Sequence, residues 1–324
     1  LSIRLKVPFI DTWHAMCQGA TTGSLVVTLE ALKEMHLTPE DIQLIQNDTK
    51  TCPDTGMAGA SRSLYMDGNA TIIAANKLLA AMRKEDGTLR TYDEMKAEGI
   101  ETKYLGRYET NTTPGLCRLD PNTGIGDPTP AFTYCLNLAE VEVDTKTGKT
   151  TVLKFTCVDF VGRIGNIDAV NGQAYSGIMH GIGFALKEDY ADVKKHANMF
   201  GAGTSYIKDV PDDINLIHID GAISDGPFGS SGASEAFQAS GHCAVLNGIY
   251  NACGVRIHEI PALPEKVKAG LDAIAKGEKP YEPKKYFLGS DMYEELENIK
   301  ENPVQVGTQS FYVSLDDPTA ERPF

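Results

Sequence analysis

The spacing of apolar and polar residues predicts a chain of mixed strands and helices. Apolar residues alternate with polar or small ones over residues 3–9, which predicts a strand. Helical spacing predicts a helix over 24–36, and a short strand is expected to end at 47–49. The small and apolar residues of 69–82 are typical of a largely buried helix. The first part of the chain therefore combines both kinds of element.

A strand–turn–strand pattern begins after residue 130. Alternating apolar residues on both sides of the turn at 144–149 predict a β-hairpin. A helix with small residues at close-packing positions is expected to begin at 171–173. A short strand over 215–220 and an amphipathic helix that ends near residue 276 follow.

These elements predict an α+β fold made of two mixed α/β subdomains. The boundary is placed near residue 130, because residues 84–130 have the least regular pattern and several Gly- and Pro-rich turns. The subdomains are then residues 1–130 and 131–275. Residues 276–324 are rich in Lys, Glu, Pro and Tyr, and we expect an extended C-terminal tail that contacts a partner or the chain's own surface.

The stretch from Gly226 to Gly254 has the features of a functional site. Gly229 and Gly232 follow a proline, so the backbone can turn tightly there and approach a ligand. Glu235 comes next and precedes an apolar run that is typical of a buried helix. The residues alone leave two interpretations open: a carboxylate with a chemical role, or one stabilised by the N-terminus of a helix.

A second candidate site is the loop over residues 52–63. Its glycines lie beside Ser61, Arg62 and Ser63, a combination that can hold phosphate with backbone amides and hydroxyls. The alternative is an ordinary polar loop that caps the next helix.

Composition excludes several classes of function. The formal net charge of −14 opposes binding to nucleic acid or to an anionic membrane, since both need a basic protein surface. The seven cysteines are scattered without a Cys-x-x-Cys pair, which argues against a zinc ribbon or an iron–sulfur cluster held by this chain alone. Scattered thiols and the lack of a signal-peptide pattern predict a cytoplasmic protein, and no apolar run reaches the roughly 20 residues of a membrane-spanning helix.

Taken in order, these loops resemble segments of the molybdenum hydroxylase family, which includes xanthine dehydrogenase and aldehyde oxidase. Met16–Thr22 is similar to the family's Gly-Gln-Gly-x-x-Thr loop, and Pro53–Ser63 to its Ala/Gly-Ser-x-Ser loop. Asn171–Gln173 matches a Gly-Gln pair at a helix start. Gly232–Glu235 matches the segment that carries the family's active-site glutamate, and Ile260–Glu265 the closing Pro-rich turn. The resemblance implies the second half of a molybdopterin-binding domain.

The resemblance also implies a cofactor and the residues that contact it. The cofactor is molybdenum bound to molybdopterin in the cytosine dinucleotide form, with a terminal sulfido or selenido ligand. The pterin holds the metal, so no side chain is expected to ligate it. Glu235 is the implied catalytic residue, and Arg62 the implied partner of a diphosphate. The implied cofactor-binding residues are Gln18, Gly19, Ala60, Ser61, Arg62, Ser63, Gln173 and Gly232.

The implied reaction is a hydroxylation with water as the oxygen source. Glu235 would act as general base on a Mo–OH group that attacks an electron-poor carbon beside a ring nitrogen. Gln18 and Gln173 would orient cofactor groups through amide hydrogen bonds. We expect a small heteroaromatic substrate, nicotinate, which becomes 6-hydroxynicotinate. The alternatives are purine or xanthine, an aldehyde, or a non-catalytic assembly role.

The resemblance further implies partner subunits. The chain begins where the family's molybdopterin-binding region is near its middle, so either it is a fragment or the region is split between two polypeptides. In the second case a larger molybdopterin subunit is expected to supply the first half. This split is similar to that of the nicotinate dehydrogenases, whose medium molybdopterin subunit the chain resembles. Electrons would leave through 2Fe–2S and FAD centres on further subunits.

Several residues depart from the family pattern. Cys17 replaces the first glycine of the Gly-Gln-Gly loop, and Ser234 replaces the glycine before the glutamate. Ser231 stands in place of a frequent lysine. His180, where relatives often have glutamine, is interpreted as a core histidine rather than a metal ligand. These departures affect the expected substrate more than the expected cofactor.

Overall fold

The computed structural model describes residues 6–13, 15, 18–46, 48–55, 58–110, 126, 129 and 131–279. One compact unit spans Leu1–Glu278 and holds every element named below; of the second unit, Lys279–Phe324, only Lys279 is described. The expected tail beyond that residue therefore lies outside the described residues. So does the predicted subdomain boundary near residue 130, which stays a prediction.

The first part of the unit is a two-stranded parallel sheet beside two packed helices. Strand β1 (Val7–Ile10) pairs in parallel with β2 (Ile42–Ile45), and α1 (Ala20–Ala31) connects them together with two 3₁₀ turns. Helix α2 (Ser63–Met82) packs along α1, and the short α3 (Tyr92–Ala97) follows. Both predicted helices and both predicted strands have counterparts here, and α3 was not predicted. Strand β2 ends at Ile45 and not at 47–49, and residues 3–5 of the first predicted strand lie outside the described residues.

Both long helices begin earlier than their apolar spacing predicted. Helix α1 begins at Ala20 instead of Ser24, and α2 begins at Ser63 instead of Asn69. Their first turns are rich in Thr, Ser, Tyr and Asp, which do not continue an apolar stripe. The chain is nevertheless helical there, and left-handed backbone precedes each helix, at Gly19 before α1 and at Ala60 and Ser61 before α2.

The second part of the unit is built on a three-stranded sheet. Strand β3 (Tyr134–Val143) pairs antiparallel with β4 (Thr150–Phe160), which confirms the predicted hairpin. Strand β5 (Asp213–His218) adds parallel to the other edge of β4. Together the two parts form an α+β fold with mixed sheets.

The main core lies between one face of this sheet and helices α4 (Ile167–Leu186) and α6 (Gly241–Cys253). Small residues allow α4 to approach its neighbours closely. A Cβ atom added to Gly177 would lie 2.6 Å from the Phe237 Cβ, and one added to Gly181 would lie 2.8 Å from the Gly241 Cα. The predicted close packing of α4 is confirmed, and it fixes the chain around residue 237 against the sheet.

The run after Glu235 is two helices and not one. Helix α5 (Glu235–Gln238) has four residues, and α6 begins after Ser240, whose backbone is not helical. The close contact of Gly241 with α4 sets where the second helix can begin. The amphipathic α7 (Pro264–Ala275) confirms the last predicted helix. None of the helices in the described ranges is long and apolar enough to cross a membrane.

The opposite face of the three-stranded sheet is apolar and open to solvent. On β3, the side chains of Tyr134, Leu136 and Leu138 are 65%, 56% and 56% exposed, and on β5 Ile217 is 44% exposed. Phe160 lies beside Tyr134, with ring centroids 6.3 Å apart. We call these five residues the outer sheet face.

Candidate active site

One cavity of about 710 Å³ collects most of the predicted site residues. It is lined by the start of α1, the loop before α2, the start of α4 and the glycine loop over 226–234. The predicted residues that line it are Gln18, Gly19, Ser61, Ser63, Gln173, Gly232 and Glu235. Ala60 and Arg62 do not line it. A volume of this size suits a small-molecule or cofactor site.

The Ser61 hydroxyl joins two of the predicted loops. Its Oγ accepts hydrogen bonds from the backbone N–H groups of Glu235 at 2.9 Å and Ser234 at 3.2 Å. These are donors at the N-terminus of α5, which no earlier turn of that helix can satisfy. A Cβ atom added to Gly232 would lie 1.5 Å from the Ser61 carbonyl oxygen, so only glycine fits there. The two loops therefore hold each other in place.

The same loop carries an uncommon backbone conformation. Ala60 and Ser61 have φ angles of 56° and 52°, in the left-handed region that non-glycine residues rarely occupy. Such conformations persist where surrounding contacts determine them and are common at functional sites. Here the hydrogen bonds from α5 to Ser61 supply those contacts.

Gln173 is connected to the same group of residues. Ser234 Oγ donates a hydrogen bond of 2.9 Å to Gln173 Oε1. The amide N–H₂ of Gln173 makes no hydrogen bond within the described part of the chain, so its two donors are available to a ligand. Ser234, noted in the sequence only as a departure from the family pattern, therefore fixes the orientation of this amide.

Gln173 lies within α4 and not at its start. The helix begins at Ile167, where the Asn166 side chain accepts a hydrogen bond from the Ala169 N–H at 3.1 Å. The predicted start at residues 171–173 was wrong because asparagine is a strong N-cap and occurs at both 166 and 171. The earlier start brings the first turn of α4 into the wall of the cavity.

Glu235 has a fixed backbone and an accessible side chain. It is the first residue of α5, and Phe237, two residues later, is fully buried. The Glu235 carboxylate makes no hydrogen bond or ion pair with any of the described residues. The carboxylate does stand at a helix N-terminus, and its residue lines the cavity, so a chemical role for it stays a prediction.

A series of hydrogen-bonded polar side chains, which no sequence pattern indicated, connects α4 to the three-stranded sheet. Asp159, 1% exposed at the end of β4, is 2.7 Å from His218 Nδ1, and His218 Nε2 is 2.8 Å from Asn171 Oδ1. Burial raises the pKa of Asp159, and hydrogen bonding to His218 opposes that rise. Asn171 lies two residues before Gln173, so this series ties the ends of β4 and β5 to the helix that carries the amide. No local pattern links residues so far apart in sequence.

His180 is exposed, so its interpretation as a core histidine was wrong. It lines a second, polar cavity of about 640 Å³ that adjoins the first and shares Gln18, Gly19, Gln173 and Ser234 with it. Helix α4 turns this side chain away from the sheet, because residues around it such as Ile178, Gly181 and Ile182 occupy the buried side of the helix.

The hydrogen-bonding groups that line the cavity suit a cofactor whose own atoms ligate its metal. Amide, hydroxyl and backbone groups dominate among them: Gln173, Ser61, Ser63 and the glycine loop. In the described ranges, no group of three His, Cys, Asp or Glu side chains is placed to hold a metal ion. Groups of this kind hydrogen-bond to a pterin and its phosphate and leave the metal to the cofactor.

This combination of fold and cavity defines a molybdopterin-binding protein. Residues 6–211 match the molybdopterin cofactor-binding domain family. The chain belongs to that family, and is a molybdopterin-binding part of the molybdenum hydroxylases.

Similar proteins and a similar solved structure agree with this family assignment. The chain is 42% identical to the aldehyde oxidoreductase of Megalodesulfovibrio gigas over 81% of its own length and 28% of that protein. It is 28% identical to a probable hypoxanthine oxidase of Escherichia coli over 83% of the chain and 30% of the relative. The crystal structure of the aldehyde oxidoreductase from Desulfovibrio gigas superposes with a TM-score of 0.78 at 40% identity, over 83% of this chain and 29% of that one.

The chain spans less than a third of the length of these relatives. The comparisons confirm the predicted family and its binding of molybdopterin, whereas the predicted site residues stay a prediction. For the substrate, they support the aldehyde and purine alternatives better than nicotinate. The resemblance to nicotinate dehydrogenase in particular gains no support from these relatives.

Proposed function

We propose that this chain is the part of a molybdenum hydroxylase that carries the catalytic glutamate and half of the cofactor site. The observation that supports this most directly is the shared cavity: Glu235 lines it together with the Gln18, Ser61 and Gln173 loops. Residues more than 200 positions apart in sequence, such as Gln18 and Glu235, line one site. Their order along the chain is that of the family's segments.

The molybdenum cofactor, in its cytosine dinucleotide form with a sulfido or selenido ligand, would supply the two-electron oxidation of the substrate. Gln173 would hold it through its two free amide donors, in the orientation that Ser234 sets. Gln18, Ser63 and the backbone at Gly19 and Gly232 would line the rest of the pterin. Ala60 and Arg62 lie away from the cavity wall, so their proposed role is limited to a phosphate end of the cofactor.

Glu235 would act as the general base. A carboxylate oxygen of Glu235 would accept the proton that is released when the water-derived oxygen adds to the substrate carbon, and would hold it until the product leaves. The carboxylate is suited to this because no described residue pairs with it. Its backbone is fixed by Ser61, so the oxygen is positioned before the substrate binds.

An aldehyde is the first proposed substrate class. The support is the 42% identity to an aldehyde oxidoreductase, which exceeds the 28% identity to a probable hypoxanthine oxidase. A purine is the second candidate, because of the 28% identity to a probable hypoxanthine oxidase, and nicotinate is the third. A panel of aldehydes, nicotinate and hypoxanthine with an artificial electron acceptor separates them, and turnover of nicotinate alone would reverse this order.

The remainder of the hydroxylase would be supplied by a larger molybdopterin subunit, with FAD and 2Fe–2S centres on further subunits. Two observations support a partner: the relatives are more than three times as long as the matched region, and the outer sheet face leaves large apolar side chains exposed. A cytoplasmic location remains a prediction.

Glu235→Gln in the assembled enzyme tests the proposed role. We expect unchanged molybdenum content by metal analysis and a loss of turnover of at least about 100-fold, because a general base contributes roughly 10²–10⁴. Glu265→Gln, an exposed glutamate on α7, is the matched control and should retain turnover. Substantial activity in Glu235→Gln would refute the role, and a wild-type complex without molybdenum would indicate the non-catalytic alternative.

A further inference from the structure

Arg163 lies on the cavity wall with its backbone fixed to the loop that leads to Glu235. The Arg163 N–H donates to the Gly229 carbonyl at 2.9 Å, and Ser230 Oγ donates to the Arg163 carbonyl at 2.7 Å. Gly162 forms an isolated antiparallel bridge with Ser230. The base and this arginine are therefore carried by one rigid pair of loops.

Arg163 is exposed, and its charge has no partner in the described part of the chain. Among the described residues, two cationic side chains line the cavity, and the other one, Lys33, forms an ion pair with Glu30 at 2.8 Å. The remaining carboxylate of the lining is Glu235. The Arg163 guanidinium has no hydrogen bond or ion pair among the described residues. The nearby walls are largely apolar, with Val26, Ile164 and Phe228. A free guanidinium beside apolar walls is the arrangement expected where an organic anion binds.

We propose that Arg163 binds a carboxylate group of the substrate, so that the substrate class of this enzyme is a carboxylate-bearing aldehyde or N-heteroaromatic acid. The inference rests on the proposed function. Guanidinium is planar and matches a carboxylate with two parallel hydrogen bonds. Such a contact would bind one end of a flat substrate and leave the other end to Glu235. A phosphate of the cofactor has related anionic chemistry, but the arginine implied for the diphosphate, Arg62, lies on a different loop.

The test compares charged and neutral substrates in the assembled enzyme. Kinetics of Arg163→Met and Arg163→Lys are measured with 4-carboxybenzaldehyde and with benzaldehyde. In Arg163→Met we expect kcat/KM for the carboxylate to fall about 10- to 100-fold, mostly through KM, which is the range for one charge-assisted contact. The kcat/KM for benzaldehyde should change less than about twofold. Arg163→Lys should lose less kcat/KM for the carboxylate than Arg163→Met does. Lys33→Met is the matched control, a cation of the same cavity that is already paired.

Two further measurements keep the outcomes separate. Calorimetry with benzoate should show the same loss of affinity in Arg163→Met without any turnover. Molybdenum and phosphate content should match the wild type. Equal losses for both aldehydes, or a lower cofactor content, would overturn the inference and assign the arginine to general structure or to the cofactor. If the wild type binds benzoate through Arg163 but turns over no substrate, the proposed function fails and the anion site stands.

Discussion

Removal of the Ser61 hydroxyl should displace Glu235 and cost the fold only a little stability. In Ser61→Ala, the backbone N–H groups of Ser234 and Glu235 lose the acceptor that lies 3.2 and 2.9 Å away. Glu235 is exposed, so water replaces part of the loss. We therefore expect a fall in the free energy of unfolding of about 1 kcal/mol, as for removal of a helix N-cap.

Ser61→Gly separates this effect from backbone strain. Ser61 has a φ of 52°, and glycine adopts that conformation without a Cβ clash. Relief of about 1 kcal/mol should offset the lost hydrogen bonds, so the glycine variant is expected to unfold near the wild-type denaturant concentration. Both variants lose the contact that fixes α5. Both should therefore lose at least about tenfold in kcat, since a misplaced catalytic group is costly.

The assay pairs urea unfolding with turnover in the assembled enzyme. Ser224→Ala, an exposed serine in a loop near the site, is the control for both measurements and should change neither. Full turnover in Ser61→Gly would show that the hydroxyl does not position Glu235. A large loss of stability in Ser61→Gly would show that the left-handed conformation is not strained.

Two further predictions concern buried charges. Burial and the nearby Asp11 raise the pKa of Asp67 to about 7, so the carboxylate destabilises the fold increasingly as the pH rises from about 4 to 7. Asp67→Asn should therefore be more stable than the wild type at pH 8, by up to about 4 kcal/mol, and no more stable at pH 4; equal urea midpoints at pH 8 would contradict this. His218→Leu removes the partner of buried Asp159 and should cost about 3 kcal/mol at pH 8. The cost should shrink as the pH falls, because burial raises the pKa of Asp159 and so favours its protonation, and a pH-independent cost would argue against a charged Asp159.

Local chemistry explains which elements were predicted correctly. The hairpin around residues 144–149 was found because alternation and a turn lie next to each other in sequence. Helix α7 was found because one side of it is apolar and the other faces water. The starts of α1, α2 and α4 were misplaced, since polar residues in a first turn resemble a loop when the neighbouring groups are unknown. His180 was misplaced because apolar content does not show which side of a buried helix faces the sheet.

For the candidate site too, local motifs could be predicted and contacts between distant residues could not. Gln18, Ser61, Gln173 and Glu235 were predicted because short motifs in a fixed order resemble those of a family. The hydrogen bond between Ser234 and Gln173, and the contact between Asp159 and His218, could not be predicted. Each joins residues 59 or more positions apart, and no local signal marks the pair.

The sequence alone determined most of the helices and strands, the α+β class and the residues proposed to carry the chemistry, because these depend on neighbours along the chain. Only the tertiary structure decided what those residues do together. Gly226–Gly254 shows the difference. In sequence it is a glycine turn, a carboxylate and an apolar run. In the fold, Gly232 rests on the Ser61 carbonyl, the Ser61 hydroxyl accepts the amides of α5, and Phe237 is buried against α4. The physical reason is that a buried contact depends on distances across the core, which the order of residues does not specify.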